Sequence, residues 1–117
     1  MARARSTLED ADVLIEGNRW NSALNRLYYA TFYAARALLA TKNLDSSRHS
    51  GVISLFQEHF VLTGLVPQET ARALPRLFEK RQTTDYGDYA EATHDEIVAL
   101  RLQVGVFIEA CEAVLRH

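Results

Sequence analysis

Between Arg19 and about Thr41 the chain carries an apolar stripe with a helical period: Trp20, Leu24, Leu27, Thr31, Ala34 and Leu38 follow one another at three- and four-residue steps. Tyr28, Tyr29, Phe32, Tyr33 and Leu39 widen the stripe around much of the circumference. A helix so broadly apolar belongs in the middle of a bundle, with neighbours on two sides or a partner chain on one. Elsewhere too, apolar residues recur at three and four and not at alternate positions, so no stretch reads as a strand. The fold class is therefore all-α, an up-and-down antiparallel bundle of about five helices.

The other helices follow from their ends. Ser6 and Glu9 have capping-box spacing and precede Leu8, Ala11, Leu14 and Ile15, which predicts a first helix over about residues 6 to 17, stopped by Gly17 and Asn18. Asn43 to Ser47 reads as a turn, after which Ser46 or Ser47 caps a third helix through Val52, Ile53, Phe56 and Phe60, ending near Thr63 and Gly64. Pro67 suits the first turn of a fourth helix, and Pro75 should bend it or split it into a short and a longer piece, ending near Tyr86 and Gly87. Thr93 and Glu96 form a second capping-box match. Ile97, Leu100, Val104, Phe107, Cys111 and Val114 behind them make a packing seam, and the long second and fifth helices should lie side by side.

At 117 residues the chain fits a single domain spanning 1–117. Its 13 Lys and Arg against 15 Asp and Glu give a net charge of −2, so any contact with a polyanion must come from a local patch. Lys42 and Lys80 are the only lysines; the remaining cations are arginines, whose flat fork of donors suits phosphate. One cysteine, Cys111, excludes an internal disulfide and a Cys-rich metal site, and it reads as a small buried apolar residue. With neither a cleavable leader nor an apolar run of the roughly 18 residues a membrane span needs, a cytoplasmic protein is expected. Phosphate-binding glycine loops, nucleophile elbows and paired histidines at ligand spacing are absent, and neither metal nor cofactor is expected.

Three clusters concentrate the chemistry. In Phe78-Glu79-Lys80-Arg81-Gln82-Thr83-Thr84-Asp85-Tyr86-Gly87-Asp88-Tyr89, cations, aspartates and tyrosines follow directly on a core-forming turn. Arg81 and Asp85 lie four apart and share a helix face; they either pair on the surface or present Arg81 to a phosphate, with Tyr86 stacking on or bonding to a nucleotide. In Tyr28-Tyr29-Ala30-Thr31-Phe32-Tyr33-Ala34-Ala35-Arg36, core packing accounts for Tyr28 and Phe32, whereas Arg36 needs a partner or an opening to solvent and is a candidate for the groove that holds Arg81. Arg48-His49-Ser50-Gly51-Val52 opens the third helix, where N–H groups and a cation favour an anion; His49 alternatively caps or bridges helices, and Gly51 permits close packing against the second helix.

Taken together, "RLYYATFYAARALL" with Ala23, then His49-Ser50-Gly51-Val52 with Phe56, Phe60 and Val61, then Leu77-Phe78 with Arg81, Asp85 and Tyr86, resemble the HEPN family in order and spacing over most of the chain. The resemblance implies a helical bundle that homodimerises and gathers polar residues of both chains in one cleft, in many members a metal-independent ribonuclease site. The family signature is an arginine, then four to six residues, then a histidine. Arg81 matches the arginine; Tyr86 stands where the histidine is expected, and a phenol with a pKa of about 10 is a poor general base at neutral pH. Arg81 and Tyr86 are thus the candidate catalytic pair, and Arg36, His49, Arg81, Asp85 and Tyr86 the candidate RNA- or nucleotide-binding set. The family also implies a minimal nucleotidyltransferase partner in a toxin–antitoxin type pair, with Tyr86 and Tyr89 as candidate modification sites. The alternative it leaves open is a noncatalytic nucleotide-binding or docking subunit for that transferase.

Overall fold

The computed structural model describes residues 1–86 and 91–116, the side chains of 83–86 excepted. All regular structure among the described residues is helical: α1 (Ala2–Glu16), α2 (Trp20–Ala40), α3 (His49–Phe56) continued by a π-helical turn (Gln57–Val61), α4 (Gln68–Ala71), α5 (Ala73–Tyr86) and α6 (His94–Leu115). α3 with its π turn forms one rod, and α4 with α5 another, so five rods build an all-α bundle of 38 × 26 × 23 Å.

The central place of α2 follows from its composition. Ala23, Leu24, Leu27, Tyr28, Ala30, Phe32, Ala34, Ala35, Leu38 and Leu39 are all buried, and α2 packs against α1, α3, α5 and α6. Its buried alanines and leucines and Tyr28 join Phe56, Leu74, Leu77, Ile97, Val104 and Phe107 in one buried cluster. Each fully buried Leu or Phe contributes about 1.5–3 kcal/mol. The long second and last helices are adjacent as their seams require, though the most extensive packing is between α1 and α2.

Two helix starts differ from expectation. α1 begins at Ala2, not at Ser6, because burial of Ala4, Leu8 and Ala11 gives a continuous inward stripe; Ser6 then lies inside the helix, its hydroxyl donating back to the Arg3 carbonyl at 3.3 Å. α3 begins at His49 with Arg48 as its cap residue. Ser46 instead closes the preceding turn: its Oγ accepts the Arg48 N–H at 3.2 Å, and Asp45 Oδ1 accepts the Ser46 N–H at 2.8 Å. Gly51 accordingly serves the turn and not the α2 interface, since a Cβ there would lie 2.8 Å from Ser46 Cβ.

Other stops are as read. Asn18 and Asn43, beyond the ends of α1 and α2, adopt left-handed φ of 59° and 56°, a conformation asparagine tolerates better than most residues. The fourth rod is split: α4 ends at Ala71 and Pro75 falls in the first turn of α5, where its missing N–H costs no hydrogen bond. Thr93 and Glu96 form the expected capping box on α6. Lys80 ties the same Glu96 to α5 at 2.6 Å, and the Ala92 N–H donates to Asn21 Oδ1 at 2.9 Å, anchoring the start of α6 to α2. Cys111 is buried, which pushes its thiol up to about 12.

Candidate cation and aromatic site

Residues from α2, α3 and α5 meet at one place. Arg81, on the third turn of α5, holds its guanidinium carbon 5.3 Å from the centre of the Tyr28 ring and 5.2 Å from that of Tyr29. His49, the first residue of α3, places its ring 4.3 Å from Phe32 and its Nδ1 2.8 Å from the Tyr28 hydroxyl. Arg36 holds its guanidinium carbon 5.9 Å from the centre of the Phe32 ring and pairs with Asp45 at 2.9 Å. A surface cavity of about 450 Å3 opens there, lined by Phe32, Arg36, Asp45, Ser46, Ser47 and His49.

The electrostatics follow from burial and from these cations. Burial pushes the Tyr28 phenol up, against the pull of Arg81, so it keeps its proton. Its hydroxyl shares a hydrogen bond of 2.8 Å with His49 Nδ1, which ties the start of α3 to α2. Burial, then Arg81, then Arg36 push His49 below the usual histidine range, which keeps it neutral at pH 7. Arg81 and Arg36 both supply positive charge near His49.

Three of the candidate residues, Arg36, His49 and Arg81, are thus brought together. Asp85 and Tyr86 lie on the last turn of α5, one turn beyond Arg81, with side chains outside the described residues; Tyr89 is outside them altogether. Tyr28 and Asp45 are the participants that sequence reasoning passed over. A buried tyrosine needs a partner for its hydroxyl, and that rule pointed to an unidentified polar neighbour of Tyr28. No group of three or more His, Cys, Asp or Glu able to hold a metal ion is formed among the described residues. A larger cavity, of about 550 Å3 between Phe60, Leu65, Pro67 and Val114, is lined mainly by apolar groups and by none of the candidate catalytic or binding residues.

The HEPN domain family matches residues 1–114. The chain belongs to the HEPN family. It is 41% identical over 113 residues to a UPF0332 protein of Thermotoga maritima, covering 97% of this chain and 86% of that one. It is 31% identical over 114 residues to a Methanocaldococcus jannaschii protein named as a candidate toxin, covering 97% and 84%. A second candidate toxin of that organism is 29% identical over 113 residues, covering 97% of this chain and 77% of that one. This HEPN chain therefore resembles toxin-like members of its family, and none of its described helices is long and apolar enough to cross a membrane.

Proposed function

We propose that this HEPN chain is an RNA-directed protein of the cytoplasm whose site is the Arg81, His49 and Arg36 face, joined by Asp85 and Tyr86 from the end of α5 and completed across a homodimer interface. The observation that carries the reading is the convergence of three segments distant in sequence, so that His49 lies within the fields of both Arg81 and Arg36. Two cations, a neutral imidazole and the partly exposed Tyr29 ring form a set that binds phosphate and stacks on bases. The toxin-like relatives support a place in a toxin–antitoxin type pair with a minimal nucleotidyltransferase, for which Tyr86 and Tyr89 offer hydroxyls to modify.

A second reading is a noncatalytic nucleotide-binding or docking subunit for that transferase. One observation favours it: Tyr86 stands in the place of the signature histidine, and a phenol is a poor general base at neutral pH. Incubation of the protein and of Arg81→Ala with mixed cellular RNA and a tRNA pool, under chelation, separates the two. Cleavage lost in the variant assigns a metal-independent ribonuclease. Arg81-dependent binding without cleavage assigns the docking subunit, and neither binding nor cleavage by the parent protein rules out the RNA reading.

A further inference from the structure

We propose that the solvent side of α2 carries two further nucleotide subsites, Arg26 on Tyr29 and Arg3 on Tyr33, which extend the Arg81 centre into a track for single-stranded RNA. The proposal rests on the reading of the Arg81–His49 face as an RNA site and goes beyond it in naming the strand state that the protein selects.

The track follows helical spacing. Residues 26, 29 and 33 are three and four apart, so they line one stripe of α2, and all three are partly exposed. The rings of Tyr29 and Tyr33 have centres 5.7 Å apart. Arg26 holds its guanidinium carbon 5.1 Å from the centre of Tyr29, the ring that Arg81 also approaches at 5.2 Å. From α1, the exposed Arg3 lies 4.1 Å over Tyr33. Three guanidinium groups thus rest on two neighbouring rings, and the first of them belongs to the centre already described.

What holds these two arginines distinguishes them. Arg3 Nη2 donates to the Tyr33 hydroxyl at 3.0 Å, and Arg26 donates from Nε and Nη2 to Asn25 Oδ1 at 3.1 and 2.7 Å. Both acceptors are uncharged, and neither arginine pairs with a carboxylate among the described residues. Arg5, Arg36, Arg72 and Arg101, by contrast, are each bound to one. Ring and neutral acceptor fix the guanidinium plane without cancelling its charge.

A plane held in this way has two uses: its outer face stacks on a base, and its remaining N–H edge meets a phosphate. Only unpaired bases present their faces, because those of a duplex are already stacked on one another. A chain of net charge −2 has little long-range attraction for a polyanion, so such local contacts must supply the affinity.

The test is fluorescence anisotropy with a short labelled single-stranded RNA and with the duplex it forms with its complement, melting curves confirming that each variant folds. The parent protein should bind the single strand more tightly than the duplex. Arg3→Ala with Arg26→Ala should weaken single-strand binding roughly tenfold or more and leave duplex binding little changed. Arg3→Lys with Arg26→Lys keeps both charges and loses both planes, and should not restore it. Full recovery in the lysine variant, or equal binding of the two RNA forms, overturns the proposal. Unchanged binding in the alanine variant, with binding lost in Arg81→Ala, overturns the subsites alone and leaves the Arg81 centre standing; no RNA binding by the parent protein overturns both.

Discussion

Gly51→Ala tests whether the turn that presents His49 is as tightly built as its contacts imply. Gly51 is the third residue of α3, where alanine is the better helix former by up to about 1 kcal/mol. Against that gain, the new Cβ would lie 2.8 Å from Ser46 Cβ and closer still to Ser46 Oγ. The hydroxyl can swing away, but the Ser46 Cβ moves only with the backbone of a turn fixed by Asp45, by the Arg48 N–H and by the Arg36–Asp45 pair. Overpacking of this kind costs about 1–3 kcal/mol. With two atoms obstructed the upper part of that range applies, leaving a net loss of about 1–2 kcal/mol, or roughly 4–8 °C in Tm. Urea unfolding of Gly51→Ala, Ser46→Gly and the double variant checks the cycle: the double variant should recover most of the loss, because Ser46→Gly removes both obstructing atoms. A Gly51→Ala protein more stable than the parent would refute the reasoning.

Phe107→Ala, a ring fully buried 5.5 Å from that of Phe56, should cost about 3–5 kcal/mol in urea unfolding, whereas Val106→Ser, one residue along on the exposed side of α6, should stay within about 0.5 kcal/mol. Thr93→Ala removes the capping box and should lower stability by about 1 kcal/mol, with Thr93→Ser near the parent in a thermal melt. His49 has a folded-state pKa below its ordinary 6.5, so the stability it contributes is present above pH 6.5 and is lost as pH falls through the folded value. An NMR titration of the imidazole should place its midpoint below 6.5, and Arg81→Ala should move it upward.

Legibility tracked the range of the interactions. The central α2, a break in the fourth rod just ahead of Pro75 and the α6 capping box were readable because each depends on neighbours within a few turns: apolar period, a proline that suits only a helix's first turn, a Thr–Glu pair three apart. The start of α1 was not, because Ser6 and Glu9 have cap spacing locally and only burial of Ala4 on α2 carries the helix past them. The role of Ser46 was misread for a related reason, since a serine near a helix start closes either the helix or the turn before it. At the site, Arg36, His49 and Arg81 stood out by residue type. The Tyr28–His49 bond spans 21 residues, and the Arg3–Tyr33 contact 30; nothing local marks such pairs.

The most direct test of the account is an NMR titration of the labelled protein with a short single-stranded RNA, following backbone amides and the His49 imidazole. The account predicts shifts concentrated at Tyr28, Tyr29, Phe32, Arg36, His49 and Arg81. Shifts concentrated instead on the exposed apolar side of α6, at Val98, Leu102 and Val106, or no shifts at all, would contradict it.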